Sequence, residues 1–195
     1  MIYVEAEADF TAPYTMPDSF TIVQWKEEHY KSVKMIRKIA WTNDYFAEVF
    51  FVTGANPVLA IDWVMHVSGE PVLAFDGQPV EVFSEKKPYN HLHSIRKIRA
   101  DGPVVTAYQD GEVTTHIFGH GFGQTVLSGK GPDNPSVSDI NYRIERSFGG
   151  EAMFAHVITS SDGACKVADV SFEAANEKVM IHVKEADGGE RKLQL

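Results

Sequence analysis

Apolar residues along this chain recur mostly at every second position, in short runs broken by Gly, Asn, Asp and Pro, which is the pattern of β-strands joined by tight turns. Ile2, Val4 and Ala6 alternate with Tyr3, Glu5 and Glu7. A Pro-containing connection from Thr11 to Ser19 then leads to Phe20, Ile22 and Val23-Gln24-Trp25. Between Tyr30 and Trp41, Val33, Met35, Ile39 and Trp41 share one strand face, with Lys34 and Lys38 on the other beside Ile36 and Ala40. A helix competes here, because Val33, Ile36 and Ala40 also fit a helical period. A strand is expected because Thr42-Asn43-Asp44 supplies a turn and a second β-rich run follows.

That run, Tyr45 to Val52, is almost continuously aromatic and β-branched, as befits a strand buried on both faces. Gly54-Ala55-Asn56-Pro57 turns the chain into an apolar strand from Val58 to Val67, which carries Asp62 and His66 and ends at Gly69 and Pro71. A short strand is expected from Val80 to Phe83. The polar, basic stretch from Glu85 to Asp101 reads as a long loop with one embedded strand. Val104 to Tyr108 and Val113 to Phe118 flank Asp110-Gly111 as a hairpin, and Tyr142 to Phe148 and Met153 to Ile158 flank Gly149-Gly150 in the same way. Val167 to Phe172, Val179 to Val183 and Lys192 to Leu195 complete a meander with turns at Ala175-Asn176 and Asp187-Gly188-Gly189. About a dozen short strands with regular turns predict an all-β protein, an antiparallel β-sandwich of two layers or of the larger supersandwich kind. One domain over 1–195 is expected, with a subdivision near 119–136 where Gly and Pro are frequent.

Composition narrows the partners. Asp plus Glu number 27 against 18 Lys plus Arg, a formal net charge of -9, so the long-range field repels polyanions and nucleic acid is not expected to bind. An acidic polysaccharide could bind only through a local basic cluster, because screening confines such attraction to roughly 8 to 10 Å. Cys165 is the sole cysteine, so no internal disulfide and no cysteine-rich zinc site can form, and the compartment is undecided. The start at Met1 lacks a basic segment followed by an apolar one, and no run is long enough to cross a bilayer, so no membrane partner is expected.

Three segments carry a family resemblance. The first is Tyr30-Lys31-Ser32-Val33-Lys34-Met35-Ile36-Arg37 followed by Asp44 to Val52. The second is Asp62-Trp63-Val64-Met65-His66 ending at Gly69. The third is Gly131-Pro132-Asp133-Asn134-Pro135-Ser136 with Tyr142-Arg143-Ile144-Glu145-Arg146 and Phe154-Ala155-His156-Val157. In order and spacing these resemble the C-terminal β region of the heparinase II/III-like polysaccharide lyases, a superfamily that includes alginate and oligoalginate lyases. The resemblance implies β-elimination of uronic-acid polysaccharides by a protein built from an α/α toroid followed by β-sheet domains. It also implies that the catalytic tyrosine and histidine lie mainly on the toroid, with a further histidine and a zinc-binding group early in the first sheet region. No counterpart of those motifs stands in this sequence, which is expected to begin after them. The chain is thus expected to be accessory or structural, inactive alone and without a cofactor, with the toroid as its partner. The alternatives are a free-standing carbohydrate-binding or structural sandwich and a small autonomous lyase.

The candidate chemistry is sparse. Beta-elimination needs a base, an acid and a group that neutralises the carboxylate. His66 is the one catalytic candidate, set against the ordinary role of a strand histidine at a core boundary. His91 and His93 at i and i+2 would share a strand face as two metal ligands, which His116 and His120 could join only if folding brings them near. Lys86, Lys87, His91, His93, Arg96, Lys97 and Arg99 form the one basic cluster, suited to uronate or sulfate, or simply a solvated or docking surface. Trp25, Trp41 and Trp63 could stack on sugars but sit in apolar runs that favour the core. Arg37, Arg143 and Arg146 are expected to pair with carboxylates. Gly119-His120-Gly121-Phe122-Gly123 lacks the lysine and helix of a phosphate loop.

Overall fold

The structure, a computed structural model, describes residues 1–11, 29–84, 89–133, 138–175 and 178–195. Most of the connection from Thr11 to Ser19, the segment Phe20 to Trp25, Lys86, Lys87, Asn134-Pro135-Ser136 and Asn176 lie outside the described residues.

The described chain is all β, with fifteen strands, all paired antiparallel. They are β1 (Ile2–Asp9), β2 (Lys34–Trp41), β3 (Phe46–Thr53), β4 (Ile61–Val67), β5 (Glu70–Leu73), β6 (Gln78–Val80), β7 (His93–Ala100) and β8 (Pro103–Asp110). There follow β9 (Val113–His120), β10 (Gln124–Pro132), β11 (Asp139–Ser147), β12 (Ala152–Ser161), β13 (Val167–Ala175), β14 (Lys178–Glu185) and β15 (Glu190–Gln194). A seven-stranded sheet runs β1-β2-β3-β12-β9-β8-β5, a five-stranded sheet β4-β11-β10-β7-β6, and a three-stranded sheet β13-β14-β15.

The expected sandwich is present, with a third sheet added to it. One face of the seven-stranded sheet, through Ala47, Val49, Phe51, Phe118, Ala155 and Val157, shares a core with Val170, Phe172, Ile181 and Val183 of the three-stranded sheet. On the opposite face Ile117, Ile158 and Tyr108 meet Val67 of β4, and Val104 meets Val126 of β10. This explains the near-continuous apolar run of β3, since the alternation of a strand with one wet face vanishes when both faces are covered. The segment read as either helix or strand is β2, hairpinned to β3. Thr42 builds its turn, accepting from the Asp44 and Tyr45 amides and donating to the Tyr45 carbonyl.

Two expectations are corrected, at Gly149-Gly150 and at Pro71. The Gly- and Pro-rich stretch near 119–136, where a subdivision is expected, contains β10, the middle strand of the five-stranded sheet, bonded to β7 and β11. Small residues are needed there, because a Cβ on Gly131 would lie 2.7 Å from a Leu92 methyl carbon. Gly149-Gly150 joins β11 and β12, which belong to different sheets, so these residues turn the chain between layers rather than close a hairpin. Pro71 does not end the strand run. After Gly69, at φ +89, the chain leaves β4 for β5, a sheet-edge strand in which a missing N–H is tolerated.

The shared core is expected to make the three-stranded sheet unfold together with the rest. Ile181→Ala, at a fully buried position, is expected to cost about 2 to 5 kcal/mol. Denaturant titration read by tryptophan fluorescence should show the whole transition moving, since Trp41 and Trp63 lie in the other two sheets. An unmoved tryptophan transition would mean the small sheet unfolds alone.

Candidate functional site

The densest chemistry in the described molecule lies between the two larger sheets. Arg143 and Glu145 project inward from β11, Glu48 from β3 and His156 from β12, and Arg143, Glu145, Glu48 and His156 are all wholly buried. Residues two apart on a strand share a face, so Arg143 reaches Glu145 along its own strand, with Nε 3.0 Å and Nη2 2.7 Å from Oε1. The rest of its guanidinium is satisfied by β8, with Nη1 donating to Thr106 Oγ1 at 2.8 Å and Nη2 to the Val104 carbonyl at 3.1 Å. His156 sits between the carboxylates, Nε2 3.1 Å from Glu145 and Nδ1 3.3 Å from Glu48. Both contacts are ion pairs that fall short of well-aligned hydrogen bonds. Trp63 of β4 stacks on the imidazole at 3.7 Å between ring centres and donates its indole N–H to Glu48 at 2.8 Å. Arg37 of β2 closes the series, its Nε donating to Glu48 at 2.8 Å from a half-exposed position.

Burial works against charge on each of these groups, and pairing reverses it. For His156 desolvation pulls the pKa down, but the charges and contacts of Glu145 and Glu48 outweigh it and the net shift is upward. For Glu145 burial pushes up, while His156 and Arg143 pull down to about 2. Glu48 behaves alike, burial opposed by His156 and Arg37, and ends below the ordinary carboxylate range. The two carboxylates therefore favour the imidazolium form of the ring between them. A group with no exposure cannot meet a polymeric substrate, so this centre is architecture.

The residues expected to act are scattered. His66 is exposed on the outer face of β4, its ring 4.4 Å from that of Tyr142. His91 ends a 3-10 turn, Tyr89–His91, and only His93 lies in β7, so strand alternation does not place the two rings together. His93 Nε2 contacts Asp139 at 2.9 Å. His116 and His120 lie on β9 in the other sheet, His120 stacked on Phe122 at 3.7 Å and edge-on to Phe172, with burial lowering both pKa values. No group of three or more metal-ligating side chains occurs among the described residues. The basic cluster is split by the pleat of β7. Arg96 faces the seven-stranded sheet and donates to the Gly77 carbonyl, whereas Lys97 and Arg99 face outward, Arg99 beside Asp101 at 3.6 Å.

Trp63 is core as expected, but Trp41 is 61% exposed. It is corrected from core to surface, since β2 runs on beyond the edge where β4 ends the facing sheet. Arg146 takes Asp62 in a bidentate pair, both contacts 2.6 Å, with Tyr89 bonded to the same carboxylate and Phe83 against the guanidinium at 4.3 Å. This pins the chain around Phe83 and Tyr89 onto the outer face of the five-stranded sheet. Glu48, Glu145 and His156 were not singled out from sequence. Their signal was charge at inward positions of strands that are otherwise apolar, above all Glu48 within Tyr45 to Val52.

No family model and no curated protein matches this chain. Gly119 has a defined part in the geometry of the charged centre. A Cβ there would clash with Arg143 Nη2 and stand 2.7 Å from Glu145 Oε1 and 3.1 Å from the His156 ring. The glycine-rich stretch thus makes room for the buried charges and does not cradle a phosphate.

Two outcomes follow. Gly119→Ala is expected to lose about 1 to 3 kcal/mol in denaturant titration through overpacking, with no change in far-ultraviolet circular dichroism. His156→Gln leaves two buried carboxylates short of a cation and is expected to cost about 3 to 5 kcal/mol at pH 6. The pH dependence has two limbs. His156, raised in the folded state, contributes fully below its ordinary 6.5 and loses that contribution as pH climbs through the raised value. Glu145, lowered, contributes fully above its ordinary 4.5 and loses it as pH falls toward about 2. Wild-type stability from this cluster should peak between 4.5 and 6.5, and the alkaline limb should flatten in His156→Gln.

Proposed function

We propose that this protein is the C-terminal β portion of a heparinase II/III-like polysaccharide lyase, an accessory sandwich supporting an α/α toroid that performs β-elimination on uronic-acid glycans. One observation carries the reading. The three segments that resemble the family, far apart in sequence, meet in the buried charged centre: Arg37 and Glu48 from the first, Trp63 from the second, Arg143, Glu145 and His156 from the third. A resemblance spread over separate strands whose members converge on one point is what a shared architecture produces, whereas chance likenesses would scatter over the surface. The all-β sandwich agrees with the expected fold.

A second reading, a free-standing carbohydrate-binding module, is favoured by Trp41. Its exposed indole, 6.1 Å from the Phe46 ring, gives a flat apolar platform of the kind sugars stack on.

A lyase assay separates these readings from an autonomous enzyme. The chain alone, given alginate, heparin or hyaluronan, is expected to produce no ultraviolet absorbance from unsaturated uronate, and the native reading frame around it is expected to encode a helical toroid. Turnover by the isolated chain, or a reading frame encoding this sandwich alone, would contradict the proposal.

A further inference from the structure

The edge of the sandwich where β5 and β8 face β7, β10 and β11 holds a cleft of about 210 Å³. Its floor is polar and buried, with Thr106 at 1%, Tyr108 at 3% and Asn141 at 6% exposure, and its rim carries Arg96, Lys130 and Ser94. The whole chain is acidic, so this is an unusual place for two cations to share.

Both cations have capacity to spare. Arg96 has five donors, of which Nη1 bonds the Gly77 carbonyl at 3.0 Å, the sole partner it has among the described residues. Lys130 lies 3.2 Å from Glu70, whose side chain is 78% exposed, and a solvated pair of that sort is weak and easily exchanged. The floor is already oriented. Arg143 donates to Thr106 Oγ1, and Tyr108 stands two residues further along the same face of β8, so both hydroxyls line the cleft.

Two backbone irregularities meet at this cleft. Ser94 has φ 53, one of two non-glycine residues in the left-handed region among those described. Across the ladder, the β10–β7 register shifts between Ser128 and Lys130. A bulge re-aims the side chains that follow it, here Lys130, and strained non-glycine residues gather where a ligand is held.

We propose that this cleft binds one uronate residue of an acidic glycan. The planar fork of Arg96 takes the carboxylate, Lys130 exchanges Glu70 for the same anion, and Tyr108 meets a sugar hydroxyl. The choice of a uronate over another carboxylated polyol rests on the lyase reading above. The cleft adjoins the buried charged centre through Thr106, shares none of its four charged side chains and needs no residue of a toroid.

Calorimetric titration of the chain tests this with four probes: a mannuronate tetrasaccharide, a hyaluronan tetrasaccharide, neutral cellotetraose, and a carrageenan oligosaccharide that bears sulfate but no carboxylate. At least one carboxylated probe is expected to bind while cellotetraose and the carrageenan do not. Arg96→Ala and Lys130→Ala should each weaken binding about tenfold or more, the loss of one charge-assisted hydrogen bond. Lys97→Ala, on the opposite face of β7, should leave it unchanged. All three positions lie on the rim or surface, and unchanged thermal unfolding would show each variant folded. No carboxylated probe binding, binding of the carrageenan alone, or equal binding by Arg96→Ala and wild type would each overturn the proposal. Such a failure leaves the accessory reading standing on its lyase assay. Conversely, turnover by the isolated chain would remove that reading and leave a measured uronate site in place.

Discussion

A charge taken out of water must find an opposite charge at contact distance, and four such side chains, Arg143, Glu145, His156 and Glu48, lie wholly buried between the two larger sheets. That requirement ties together strands distant in sequence. Arg143 and Glu145 must face inward on β11, so the register against β4 and β10 is set to the residue, since a slip of one place would turn both outward and leave the imidazolium with Glu48 alone. The same demand fixes β12 against β3, where His156 stands directly opposite Glu48. Gly119 follows as a consequence, being the position on β9 where a side chain would occupy the space of the guanidinium. A pair of this kind adds little net stability over a hydrophobic filling. What it supplies here is a penalty against wrong registers in sheets whose other inward residues are interchangeable hydrophobes.

Around that centre the hydrophobic contribution divides in two. The three-stranded sheet covers one face of the seven-stranded sheet with aliphatic and aromatic side chains, and the five-stranded sheet covers the other with the charged centre and smaller apolar clusters at each end. The second interface is less completely filled, and the cleft beneath Arg96 and Lys130 is where it opens. On the proposed glycan site, architecture and recognition use the same gap between layers. Toward the middle, buried charges face one another, while at the edge Arg96 and Lys130 lie toward solvent with the exposed Glu70 beside Lys130. On the proposed reading, the residues shared with polysaccharide lyases build the frame, and the edge adapts it to an acidic glycan.

Period-two alternation made the fold class legible, because a strand with one wet face must show it, and the run from Tyr45 to Val52 announced a strand covered on both sides. Pairing between distant strands was not legible. Gly149-Gly150 suits a hairpin turn and a change of layer equally well, and nothing local to β11 and β12 distinguishes the two. β10 was hidden by its own composition, since Ser128, Gly129 and Gly131 are small for the sake of their neighbours in space. The basic stretch could be seen, but not its division by the pleat into Arg96 on one side and Lys97 and Arg99 on the other. The buried charges were visible only as exceptions to an apolar pattern, and their meaning depended on partners up to 108 positions apart, as for Glu48 and His156.

The protonation state of His156 decides whether the paired charges are what they are described to be. Nitrogen-15 NMR of the ring, followed from pH 5 to pH 9 in the folded protein, reads it directly. Both ring nitrogens should carry protons throughout the range in which an exposed histidine becomes neutral, and lose one only well above it. A neutral tautomer already present at pH 6 would mean that the two carboxylates do not hold a cation between them, and the account of how the sheets are registered would fail with it.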